Sequence, residues 1–110
     1  ADTMASHATW VEAGNGSNYP NWSTPASNAR ATVSFAAASG RAKSLAAVAS
    51  FTIATNGGTV KGAFLVFGTG AVATNNNTSG VLFSAGLFSG GDKVVAVSDV
   101  LQVSYTLTLT

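Results

Sequence analysis

The chain has 110 residues, 46% of them hydrophobic and only 8% charged, with a net charge of +1 and no cysteine. A chain of this length fits one domain over residues 1–110, able to bury roughly 65% of the surface its unfolded form exposes, and its surface must be built from Ser, Thr, Asn, Gly and Ala rather than charge. The composition excludes a disulfide framework and a thiolate metal site, the lone close basic pair Arg41 and Lys43 argues against nucleic acid, and no run of about 18 apolar residues predicts a membrane helix.

The opening ADTMASHATW lacks the basic start and apolar stretch of a signal peptide. Because residue 1 is Ala, the sequence predicts either removal of an initiator Met or a longer product of which this is the C-terminal part. Residues 14–30, GNGSNYPNWSTPASNAR, hold both prolines and several Asn and Ser, and read as a long irregular loop. Tyr19 and Trp22 are costly to leave in water, so this loop is expected to pack on the domain or on a neighbour.

From there the pattern predicts successive strands. Ala31, Val33, Phe35 and Ala37 alternate with Thr32, Ser34 and Ala36 up to Ser39-Gly40, and Ala47, Ala49, Phe51 and Ile53 alternate with Val48, Ser50, Thr52 and Ala54. A short helical turn over 42–49 is the minor alternative, since the run is Ala-rich but leads straight into β-branched and aromatic residues. Asn56-Gly57-Gly58-Thr59 supplies residues that tolerate positive φ and predicts a tight hairpin turn. TVKGAFLVFG is apolar on both faces and predicts a strand covered on both sides, by two layers or by a partner subunit.

Residues 68–80 have turn composition; beyond them Val81, Phe83, Ala85 and Leu87 alternate with Leu82, Ser84, Gly86 and Phe88. KVVAVS is a short strand, and Ser98-Asp99 a turn. The last segment, VLQVSYTLTLT, puts Leu101, Val103, Tyr105, Leu107 and Leu109 on one face, expected to meet the core, and Gln102, Ser104, Thr106, Thr108 and Thr110 on the other. Turns every 8 to 12 residues without a helix predict an all-β fold, an antiparallel β-sandwich of jelly-roll-like or Ig-like kind.

Few groups can do chemistry. His7 is the only imidazole; a triad would need it beside Asp2, Asp92 or Asp99, and no nucleophile-elbow motif supports one. Paired-carboxylate catalysis would draw on Glu12, Asp92 and Asp99, but turn capping is the expected work of the two aspartates. Calcium binding by Asp92 and Asp99 lacks the D-x-D-x-D-G spacing, and GTGAVATNNN lacks phosphate-loop spacing. The expectation is therefore a protein that is not an enzyme, with no catalytic residues, no cofactor and no metal. The sequons at Asn15, Asn21, Asn76 and Asn77 matter only in a host that glycosylates secreted proteins.

Trp10, Tyr19 and Trp22 are the candidate interface or packing residues, because aromatics are enriched where proteins meet. The alternative is a carbohydrate-binding β-sandwich module that stacks these rings on sugars.

Several segments together carry a resemblance: ADTMASHATWVEA, Tyr19 to Trp22, ASFTIATNGGTVKGAFLV and SGVLFSAGLFSGGDKVVAVSDVLQVSYTLTLT. They resemble a group of small proteins encoded by tailed bacteriophages, over nearly the whole chain. The resemblance implies a virion structural protein, such as a capsid decoration or cement protein or a fibre component. It brings no catalytic residues. Its implied partners are the major capsid protein or tail and fibre proteins and other copies of itself, with no nucleic acid and no membrane, and its implied location is the virion, assembled in the bacterial cytoplasm.

Overall fold

A computed structural model of the chain describes residues 20–75 and 77–110, which fold as an all-β, antiparallel sandwich of small sheets. The strands are β1 (Asn21–Thr24), β2 (Ala42–Ser44), β3 (Ala49–Thr55), β4 (Gly58–Val60), β5 (Gly62–Phe67), β6 (Val81–Leu87), β7 (Lys93–Val95), β8 (Val100–Val103) and β9 (Thr106–Thr108). One sheet has the order β1-β3-β8, and the pairs β2-β9, β4-β7 and β5-β6 form three more. Only β5 and β6 are consecutive in the chain; every other pair joins distant segments.

β3 forms where its alternation predicts a strand, though both its faces are half-buried from Ala49 to Thr52, and its Ile53 is one of three buried hydrophobics among the described residues, with Leu82 on β6 and Val95 on β7. The turn after β3 differs from the predicted hairpin. Asn56 does take a positive φ of 58°, but β3 pairs with β1 and β8 whereas β4 pairs with β7. Asn56 and Gly57 thus form a corner at which the chain changes sheets, the usual device for strands that serve two sheets.

The predicted strand over 31–39 keeps its alternating burial from Ala31 to Phe35, yet it pairs only locally. Phe35 bridges Leu45, and the Ala36 and Ala46 N–H groups donate to the Ser44 and Ser34 carbonyls at 2.9 and 2.8 Å. Ser39 and Ala42 close the tip around Gly40, whose φ is 59°. Residues 42–49 hold β2 and a bend, with no helical turn. β1 lies inside the stretch predicted as irregular, because Trp22 has a large apolar body to bury against β3.

β5 and β6 form a hairpin across the loop 68–80. Leu65 stands opposite Ser84 and Val66 opposite Leu82, so Phe83 is left unopposed in a bulge. The alternation read from sequence survives the bulge: Val81, Phe83, Ala85 and Leu87 are all exposed, Leu87 at 79%, whereas Leu82 on the other face is 2% exposed. β5 pairs with β6 alone among the described residues; Phe64, Leu65 and Val66 are half-buried and Phe67 at its end is 51% exposed, so among the described residues neither face of the strand is fully covered. Gly62 is required by close approach, since a side chain there would strike the Gly86 carbonyl.

The last segment is two strands. β8 pairs with β3 and β9 with β2, with Ser104 and Tyr105 between them. Leu101, Val103 and Tyr105 are half-buried as predicted, but Leu107 and Leu109 lie on the exposed part of the second sheet. Asp99 performs the capping expected of it, its Oδ2 accepting the Ala96 N–H at 2.8 Å across the turn that holds Ser98 at φ 76°. Leu82→Ala is expected to cost about 2–5 kcal/mol by loss of buried contacts and creation of a cavity. Leu87→Ala should stay within about 0.5 kcal/mol, and urea unfolding of both variants checks the contrast.

Candidate functional site

Trp22 is half-buried and spends its polar groups inside the chain. Its indole Nε1–H donates to the Ala29 carbonyl at 2.7 Å, and its ring meets Phe51 edge-on with centroids 5.6 Å apart. Asn28, at a φ of 50°, folds the following turn back: its Oδ1 accepts the Trp22 N–H at 3.0 Å and its Nδ2 donates to Asn21 Oδ1 at 2.9 Å. A ring fixed in this way is a packing element, with an edge and its donor already engaged. Trp10 and Tyr19, the other two candidates, lie outside the described residues, as do His7, Asp2 and Glu12.

Arg30 ties the long loop to the sheet. Its backbone N–H donates to the Ala73 carbonyl at 2.7 Å, its Nη2 donates to the Asn77 carbonyl, and its guanidinium lies 5.1 Å from the centroid of the Phe64 ring. This is a cation–π contact on a partly buried face. Arg30 therefore serves structure, which the sequence offered no signal to predict.

Chemically competent groups are sparse. Among the described residues no three His, Cys, Asp or Glu side chains come together, and no helix is long and apolar enough to cross a membrane. A shallow cleft between residues 31–34 and 47–50 is lined by Ala31, Val33, Ser34, Val48 and Ser50 among others, and no acid or imidazole among the described residues lines it. Hydroxyls without a base beside them are poor nucleophiles.

The distinctive feature is an apolar surface. Phe67 and Phe83 meet edge-on with centroids 5.6 Å apart while both remain exposed, and Val81, directly opposite Phe67, is exposed too. Val72 on the adjoining loop, Leu87, Val94, Val97 and Val100 add further exposed hydrophobic side chains. The bulge creates the aromatic pair, because the extra residue it inserts is Phe83. Sequence reasoning named Trp10, Tyr19 and Trp22 as the aromatics of interest and missed Phe67 and Phe83, whose alternation alone gave no hint that both stay in water.

The architecture places the chain among antiparallel β-sandwiches. No family model matches it, and neither does any curated protein or solved structure. Trp22→Phe, which keeps the contact with Phe51 but removes the donor to Ala29, is expected to cost about 0.5–1.5 kcal/mol, and Trp22→Ala about 3–5 kcal/mol, measured by chemical denaturation.

Proposed function

We propose that this chain is a non-catalytic structural protein of a tailed-phage particle, most simply a capsid decoration or cement protein that binds the shell surface as a self-associating unit. The sequence likeness to small tailed-phage proteins suggests the setting. The observation that carries the reading is the imbalance between three buried hydrophobic side chains among the described residues and the exposed set that includes Phe67, Val81, Phe83, Leu87 and Val94.

Phe67, Phe83 and Val81 sit together on one hairpin, and large exposed apolar clusters mark surfaces that meet other proteins. Interface cores are poor in charge and rich in aromatics, which describes the neighbourhood of Phe67 and Phe83. Cementing a lattice needs adhesion over area rather than a reacting group, and the charge-poor, hydroxyl-rich surface suits that work.

Mass spectrometry of gradient-purified particles of the encoding phage is expected to find the chain, and the isolated protein should co-sediment with particles stripped of it. Phe83→Ser should weaken co-sedimentation at least about tenfold, equivalent to about 1.4 kcal/mol, while leaving the far-ultraviolet spectrum unchanged. Absence from particles together with no binding by the unaltered chain would overturn the proposal.

A further inference from the structure

β9 has β2 on one side, in the register Ala42↔Thr108, Lys43↔Leu107 and Ser44↔Thr106, and among the described residues no strand pairs with its other side. The phase of that ladder is fixed at both ends. The Leu109 N–H donates to the Arg41 carbonyl at 2.8 Å and the Leu45 N–H to the Tyr105 carbonyl at 3.1 Å. In an antiparallel ladder hydrogen-bonded pairs recur at every second residue. Tyr105, Leu107 and Leu109 therefore turn their main-chain groups toward β2, and Thr106, Thr108 and Thr110 turn theirs to the open side.

Natural sheet edges are normally blocked by charged side chains, proline or a bulge. The stretch Thr106-Leu107-Thr108-Leu109-Thr110 has none of these and reads the same in both directions. Leu109, at 70% exposed, and Leu107 remain in water on this sheet.

We propose that β9 pairs antiparallel with β9 of a second copy about a twofold axis through Thr108. The strand order is its own complement. An axis at Thr108 sets Thr108 opposite itself, Thr106 opposite Thr110, and Leu107 opposite Leu109. The phase agrees independently with the palindrome: the three threonines are the residues whose N–H and C=O groups are turned outward, so the axis falls on a hydrogen-bonded pair and about six main-chain bonds form. The two Leu–Leu pairs take the narrow, non-hydrogen-bonded positions, where side chains lie closest.

An axis on Leu107 or Leu109 is ruled out, since their main-chain groups are spent on β2. The pairing is isologous, so it uses up both edges and closes as a dimer. The net charge of +1 per chain puts little repulsion between copies. This assigns a surface to the self-association in the reading above and rests on that reading only there; it requires no particle.

The chain lacks cysteine, so a single introduced thiol reports the register cleanly. In a hydrogen-bonded antiparallel pair the Cα atoms lie about 5.5 Å apart, inside the disulfide range, so Thr108→Cys should cross-link to itself under mild oxidation. Thr106→Cys puts its two thiols four residues out of register, about 14 Å apart, and should stay uncross-linked. Thr108→Pro removes an outward N–H that no contact among the described residues uses, and should abolish the dimer seen by sedimentation equilibrium while leaving the unfolding midpoint unchanged at concentrations low enough for the unaltered chain to be monomeric. The proposal is overturned if the unaltered chain sediments as a monomer throughout a concentration series, if neither cysteine variant cross-links, or if Thr106→Cys cross-links as readily as Thr108→Cys. Because these measurements use the isolated chain, their failure is distinct from a failure to bind particles.

Discussion

Tyr105 is the point on which the sheets depend. Residues before it pair with β3 and residues after it with β2, so the ladder is interrupted there and the chain has to be held by other means. Three contacts supply the hold. The Tyr105 carbonyl accepts the Leu45 N–H at 3.1 Å, its ring meets Phe35 edge-on at 6.0 Å, and its hydroxyl accepts the Ser84 Oγ–H at 3.1 Å. Those partners belong to the local hairpin around Gly40 and to β6, so one side chain links segments that share no ladder. Buried Tyr rings usually combine an apolar body with a satisfied hydroxyl, and here both ends of the residue are in use.

The rest of the architecture follows from having little interior. With Ile53, Leu82 and Val95 as the buried hydrophobics among the described residues, cohesion comes from contacts at the junctions between sheets. Trp22 on Phe51, Arg30 on Phe64 and Asp99 on the Ala96 N–H each fix a turn or a crossing rather than fill a centre. Nearly all strand pairs join distant parts of the chain, so loop-closure entropy is spent before those pairs reward it, and folding of such topologies is slow.

Period-two alternation made β3 and β8 legible in the sequence: in β8 Leu101 and Val103 turn inward while Val100 and Gln102 are exposed, whereas β3 is half-buried on both faces from Ala49 to Thr52 and buries Ile53. The same rule held at β6, where Val81, Phe83, Ala85 and Leu87 share the exposed face, but alternation does not say which face turns inward, and the bulge at Phe83 leaves no mark that composition can reveal. It failed at Leu107 and Leu109, whose pattern matches that of Leu101 and Val103 although no apolar layer among the described residues covers their sheet. Asn56 and its glycines were readable as a positive-φ turn, but whether such a turn returns a strand to its neighbour or sends it to another sheet depends on pairings dozens of residues away. Of the candidate surface, Trp22 was visible as an aromatic in a polar loop. Phe67 and Phe83 were not, since an exposed Phe and a core Phe look alike in a strand.

The exposed aromatic pair on the β5–β6 hairpin has a thermal and saline consequence. Contacts made through Phe67, Phe83 and Val81 have no charge to screen, so raising ionic strength does not loosen them, and strongly hydrated anions such as sulfate tighten them. Burial of apolar surface carries a negative heat-capacity change and is driven near room temperature by the entropy of released water. An assembly joined through this hairpin accordingly holds more firmly when warmed toward physiological temperature and loosens in the cold.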